Sequence, residues 1–133
     1  MHRDRVLGKR ILLADDQQGV RTAIRFLLQM DEHKVTEACN GKEALELFRR
    51  ERFDLVITDY AMPEMVGSEL ALIIKKEAPG QPIIMISAYV RRLPACENPV
   101  DAVLNKPFSF VELRQIIARL LPEDPTSHPA GSG

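Results

Sequence analysis

Apolar and polar positions change their period repeatedly along this chain, and the changes mark out alternating strands and helices. Arg10-Ile11-Leu12-Leu13-Ala14 is a short apolar run closed by two acids, Asp15-Asp16, and predicts a first strand. Val20, Ile24, Leu27 and Leu28 follow at helical spacing, one apolar stripe on one face. His33-Lys34-Val35-Thr36-Glu37-Ala38-Cys39 alternates polar and apolar, as a strand near a sheet edge does. Asn40-Gly41 predicts a turn, and Ala44, Leu45 and Phe48 a short helix whose basic end, Arg49-Arg50, suits its carboxyl terminus. The stretch from Asp54 to Asp59 carries Leu55-Val56-Ile57-Thr58 without alternation, the mark of a strand covered on both faces. It stops at Asp59, with Met62-Pro63 close behind. Ser68 is expected to cap a helix carrying Leu70, Ile73 and Ile74, which Pro79-Gly80 ends. Pro82 to Ser87 predicts a fourth strand and Ala102 to Asn105 a fifth, closed by Lys106-Pro107. Ser109 caps a last helix with Leu113, Ile116, Ile117 and Leu120, and Pro122 stops it.

Strands separated by helices long enough for crossovers pair in parallel. The predicted fold is therefore α/β, a doubly wound five-stranded parallel sheet with helices on both faces. Short right-handed connections leave few strand orders, among them the flavodoxin-like 2-1-3-4-5. The ordered domain spans residues 10–121, with an N-terminal extension at 1–9 and a Pro/Ser/Gly-rich disordered tail or linker at 122–133.

Composition narrows the functional classes. A chain of 133 residues, 45% hydrophobic, supports one core and is too apolar for disorder. A net charge of -1 provides no field for nucleic acid or an anionic membrane. No apolar run approaches the roughly 20 residues that span a bilayer. Met1-His2-Arg3-Asp4-Arg5 lacks the apolar segment of a secretory signal. Cys39 and Cys96 are far apart and outside any C-x-x-C, which suits free thiols in a reducing cytoplasm. Cys39 reads as a core or strand-end residue. His2, His33 and His128 share no ligand spacing, so zinc is unsupported and each reads as a solvated surface residue.

In the order 2-1-3-4-5, strands one and three are neighbours, so Asp15, Asp16 and Asp59 converge at one sheet edge. Ser87 and Lys106, at the ends of strands four and five, complete the rim. Open α/β sheets bind ligands at that edge. Three close carboxylates repel, and a hard dication relieves them; Mg²⁺ uses one or two carboxylates plus phosphate oxygens. Lys106 adds a point charge for phosphate and Ser87 a hydroxyl donor. One carboxylate can then attack phosphorus to form an acyl phosphate. Each residue has a plainer role available: a helix cap for Asp15-Asp16, a turn for Asp59, a backbone-bonded hydroxyl for Ser87, a solvated turn for Lys106. Five such residues at the ends of four strands is an arrangement that chance seldom produces.

Asp15-Asp16 after strand one, Asp59 with Met62-Pro63 after strand three, Ser87-Ala88 after strand four and Lys106-Pro107-Phe108 before the last helix resemble the receiver domain of two-component response regulators. The resemblance runs from Arg10 to Leu121. It implies that Asp59 is the phosphoacceptor, taking a phosphoryl group from the phosphohistidine of a histidine kinase or histidine phosphotransfer protein and switching partner interactions. Asp16, Asp59 and the Ala61 carbonyl would bind Mg²⁺, with Asp15 acting through a bound water. Lys106 would contact the phosphoryl oxygens, Ser87 would turn toward them, and the Lys106-Pro107 bond would be cis. Such a module is not a turnover enzyme on an external substrate.

Two departures from the family stand out. The position three before Lys106 is usually an aromatic that swings inward, and here it is Val103, which has no ring to rotate. The stretch from Tyr89 to Pro99 carries two prolines and is shorter than the family's usual one, so the helix between strands four and five is expected to be missing, stunted or mobile. Signal output through that helix would then use a different or rearranged face. Ala61 and Tyr89 flank the attacking-water path in the family; Ala61 has no polar group to orient water and Tyr89 is expected to cover part of the site, which implies a phosphoryl lifetime longer than in fast chemotaxis-type receivers. Two other functions compete. A phosphatase resembling the haloacid dehalogenase type needs a general acid where Ala61 stands. A binding module that keeps the fold but not the phosphorylation would leave the Asp and Lys set unused. Neither G-x-x-x-x-G-K-[ST] nor G-x-G-x-x-G occurs, so nucleotide binding by those motifs has no support.

Overall fold

The computed structural model describes residues 6–88 and 100–121. Among them are five strands, β1 (Arg10–Ala14), β2 (Lys34–Ala38), β3 (Leu55–Asp59), β4 (Ile83–Ser87) and β5 (Ala102–Asn105). Three helices join consecutive strands, α1 (Gln18–Gln29), α2 (Gly41–Arg50) and α3 (Gly67–Glu77), and α4 (Phe110–Leu120) follows β5. All pairings are parallel and the order is β2-β1-β3-β4-β5, the flavodoxin-like order expected from the sequence. The expectations about the Tyr89–Pro99 helix, and about residues 1–5 and 122–133, fall outside the described residues.

Strand periodicity decides which helices lie on which face. Ile11, Leu13, Leu55, Ile57, Ile84 and Ile86 point to one side and pack on Ile24 and Leu28 of α1 and Leu113 and Ile117 of α4. Leu12, Ala14, Val56 and Ile83 point to the other and meet Ala44 and Leu45 of α2 and Leu70, Ala71 and Ile74 of α3. β3 and β4 are buried along their whole length, which is why their sequences do not alternate. Burying each of these Leu and Ile side chains stabilises the fold by about 1.5–3 kcal/mol.

Helix starts show where local signals held. Ser109 caps α4 with a full capping box, its hydroxyl accepting from the Glu112 N–H while the Glu112 carboxylate accepts from the Ser109 N–H. Asn40 does more than turn the chain: it caps α2 through the Glu43 N–H, and Gly41 is already helical. Ser68 is not a cap. α3 begins two residues earlier than that cap implies, at Gly67 after Val66, which makes no side-chain cap bond. The reason is tertiary: the Gly67 N–H donates to the Tyr60 carbonyl at 2.7 Å, and a Cβ at Gly67 would collide with the Asp59 carbonyl.

Cys39 is exposed just beyond the end of β2, so of its two expected places it takes the strand end and not the core. The surface assignment of His33 is corrected. His33 is buried, 4% exposed, because the residues before β1 fold over it. Its Nδ1 accepts from the Lys9 N–H at 2.9 Å, and the adjacent Gly8 N–H donates to the Asp31 carbonyl. Nearby Asp31 is itself buried and paired with Arg114 of α4 at 2.9 Å. β2 is the sheet edge, as expected, but its central residues are half-buried without alternation: Val35 packs against the core and Glu37 is held by Arg21 and Arg25 of α1.

Burial holds the His33 pKa below its ordinary value; Asp31 and Asp54 oppose that shift and Lys9 adds to it. The unfolded chain therefore takes up a proton at higher pH than the folded chain. Stability is full above the unfolded value of about 6.5 and declines as pH falls through it toward the folded value. Thermal unfolding at pH 7 and pH 5 should show a larger loss of Tm for the parent than for His33→Gln, which removes this titration; equal losses would refute the assignment.

Candidate functional site: an acidic cleft at the strand ends

The sheet register builds the site. Asp59 pairs with Ile86, so Ser87 lies one residue beyond Asp59's level. Ser87 pairs with Asn105, so Lys106 lies one residue beyond Ser87. Ala14 pairs with Thr58, so Asp15 lies level with Asp59 across β1 and β3. Four strand ends thus fan around Asp59, which sits at the middle of the sheet. A cleft of ≈ 250 Å³ opens there, lined by Asp16, Gln17, Asp59, Tyr60, Ala61, Ser87, Ala88 and Lys106.

The three carboxylates expected to converge do so. One oxygen from each of Asp15, Asp16 and Asp59 lies within 4.8 Å of the others. Their surroundings differ. Asp16 is exposed, Asp59 is 6% exposed and Asp15 is 1% exposed. Asp15 Oδ1 accepts from the Gln17 N–H at 2.9 Å, while its buried Oδ2 has no hydrogen-bond partner among the described residues. Neither acid of the pair caps α1, whose N-cap is Gln17 with no side-chain cap bond. On the opposite flank, Lys106 Nζ pairs with Asp59 Oδ1 at 2.9 Å. The Lys106-Pro107 bond is cis. The backbone joins the same rim: the Lys106 N–H donates to the Ser87 carbonyl and the Tyr60 N–H to the Ile86 carbonyl. Ser87 is buried, 2% exposed, at the floor.

Burial pushes the Asp15 carboxyl above the usual carboxylate range; the Gln17 N–H opposes this, Asp59 repulsion adds to it, Lys106 opposes it and Asp16 adds to it. A buried carboxylate oxygen with no partner, beside two more carboxylates, is a donor set made for a hard cation, and it fits Mg²⁺. Thr58 supports the strand end from within, its hydroxyl donating to the Asp59 carbonyl at 3.0 Å.

Every candidate site residue named from the sequence lies in or directly behind this cleft. Gln17, Tyr60 and Ala88 also line it. Ala88 belongs to the Ser87-Ala88 pair that carries part of the family resemblance, whereas Gln17 and Tyr60 carry no signal of their own beyond directly following Asp16 and Asp59. Gly67 left a fainter signal, a small residue eight positions after Asp59. Tyr89 falls outside the described residues.

The comparisons with known proteins agree with this geometry. The response regulator receiver domain matches residues 11–118. The chain is 38% identical over 116 residues to the response regulator receiver protein CpdR of Brucella abortus, covering 85% of this chain and 97% of that protein. It is 34% identical over 116 residues to histidine kinase P4 of Formosa agariphila, covering 84% of this chain but 8% of the kinase. It spans about half the length of other regulators it matches. Among solved structures, the response regulator TrrA of Thermotoga maritima, in complex with Mg(2+)-BeF, superposes with a TM-score of 0.80 at 36% identity, covering 85% of this chain and 99% of that one. The chain belongs to the response regulator receiver domain family, the phosphoacceptor modules of two-component signalling, which pair with histidine kinases. Among the described residues no helix is long and apolar enough to cross a membrane.

The Asp15 carboxylate is penalised in the folded chain at neutral pH. Asp15→Asn keeps an oxygen for the Gln17 N–H and removes the charge, so metal-free Asp15→Asn should unfold a few degrees above the parent at pH 7. Because the parent's pKa is raised, the penalty lifts as pH falls through the folded value, and the gap should close on acidification. A calorimetric Tm equal to or below the parent's at pH 7 would contradict this.

Proposed function

We propose that Asp59 is the phosphoacceptor of this receiver domain and takes its phosphoryl group from a phosphohistidine on a histidine kinase or phosphotransfer protein. The observation that carries this reading is the buried Asp59, with Lys106 Nζ at 2.9 Å on one flank and two further carboxylates within 4.8 Å on the other. An Asp59 oxygen forms the new P–O bond while the donor's P–N bond breaks, and the imidazole nitrogen keeps the electron pair. Lys106 shifts from the Asp59 carboxylate to a phosphoryl oxygen, where its charge is needed as negative charge accumulates. Ser87, at the floor, donates its hydroxyl to the phosphoryl group. Asp15, Asp16, Asp59 and the Ala61 carbonyl would hold Mg²⁺, which supplies charge neutralisation for the phosphoryl oxygens. The domain acts as a switch for a protein partner and not as a turnover enzyme.

Val103 is half-buried on β5, next to Leu104 in the core. A branched aliphatic side chain there cannot relay the Ser87 movement as a rotating ring would, so the output runs through other contacts. Ala61 is exposed at the cleft and has no group to orient a water, which favours a slow return to the unmodified state.

Incubation with Mg²⁺ and acetyl phosphate should add one phosphoryl group to the parent and none to Asp59→Asn, read by intact mass. Beryllofluoride should shift amide NMR resonances around Ser87 and Lys106 in the parent only. No response in the parent would favour a binding module that keeps the fold without the chemistry. After removal of the phosphodonor, phosphoprotein should persist for minutes; decay within seconds would refute the slow-return reading.

A further inference from the structure

Aiming Asp15 and Asp16 at Asp59 requires that the turn after β1 be held still. Its Asp15 N–H is held by the edge strand, donating to the Ala38 carbonyl at 3.1 Å. Its Asp15 side chain is held locally by the Gln17 N–H. The Asp15 carbonyl precedes the helical ladder of α1, whose first turn is closed by the Arg21 N–H on the Gln17 carbonyl. The donor that meets it is the Arg21 side chain, with Nη1 at 2.7 Å. Arg21 is in turn held by β2: its Nε lies 3.1 Å from Glu37 Oε1. The other Glu37 oxygen is held by Arg25, one helical turn along, at 2.8 Å. Arg21 is 15% exposed and Glu37 26%, so these bonds act in a setting drier than a surface ion pair. Glu37 pairs with Leu13 in the sheet, two residues before Asp15.

We propose that Arg21 is a positioning residue for the metal-binding half of the site. Braced by Glu37, it clamps the Asp15 carbonyl and thereby sets the direction of the Asp15 and Asp16 carboxylates. Among the described residues Arg25 bonds the brace, Glu37, while the side-chain bond to the Asp15 carbonyl comes from Arg21, so α1 carries one arginine that acts on the site and one that acts on stability. The inference rests on the acidic cluster being a Mg²⁺ site. Groups that orient metal ligands without touching the metal typically change affinity by about 10- to 100-fold when removed.

The test is an NMR titration of the full chain with Mg²⁺ alone, paired with thermal unfolding of each variant. Arg21→Met, which keeps the aliphatic stem, should weaken Mg²⁺ binding about tenfold. Arg21→Lys, which keeps a charge and a donor, should recover part of the loss and covers the case in which Arg21→Met does not fold. Glu37→Gln should weaken binding less than Arg21→Met. Arg25→Met should lower Tm while leaving the Mg²⁺ Kd within about twofold of the parent. Loss of Tm in Arg21→Met with an unchanged Kd, or an equal Kd loss in Arg25→Met, would overturn the proposal. A parent that binds no Mg²⁺ would instead overturn the metal-site reading, and this inference with it.

Discussion

Three carboxylates held within 4.8 Å of one another repel, and the fold must hold them there until a cation or a phosphoryl group arrives. Much of the structure near the cleft serves that demand. β3 delivers Asp59 from a strand buried on both faces, so the acid sits at the end of a fully enclosed element. Lys106 answers it from two strands away and offsets part of the repulsion. Asp15 carries the heaviest share of the strain, since it is buried and one of its oxygens has no partner. Its turn is therefore tied down by neighbours on both sides, β2 through Ala38 and α1 through Arg21. The instability of the acid cluster is also its capacity for function, because a site that is satisfied when empty gains little from binding a cation.

The loop after Asp59 is held by close packing instead of charge. Gly67 abuts the Asp59 and Tyr60 backbone, and Gly41 at the start of α2 abuts Met65 in the same loop. Glu64 within it has a positive φ of 68°, a conformation that non-glycine residues adopt at a cost. A phosphoryl group at Asp59 would thus arrive beside a tightly packed loop on one side and the Ser87–Lys106 rim on the other. Val103, half-buried on β5, gives that rim an aliphatic neighbour in place of a ring, and Leu104 beside it packs in the α1–α4 face of the core.

Much of the fold was legible without coordinates. The bounds of β1 and β5 and the cap at Ser109 agree with those read from residues alone, because burial on both faces, strand-ending acids and capping boxes are local patterns. The site was legible for the same reason: Asp15, Asp16, Asp59, Ser87 and Lys106 each follow an apolar run. The failures share one cause. Ser68 looked like a cap, but the helix began at Gly67 because the Asp59 backbone leaves room only for glycine there. His33 looked solvated, but the chain before β1 folds back over it. Gln17 and Tyr60 stand at the cleft by proximity to named residues and have no pattern of their own.

The alternation of strands and helices, their placement on two faces and the gathering of acids, hydroxyl and lysine at the strand ends are written in the order of the residues. Each follows from periodicity and from where an apolar run stops, and those are properties of neighbours along the chain. Which acid is buried and which exposed, the unpartnered oxygen of Asp15 and the contacts of Arg21 and Glu37 at its turn came from the folded arrangement. Those outcomes depend on contacts between residues far apart in sequence, such as Lys9 on His33 or Arg114 on Asp31, and no local pattern encodes them.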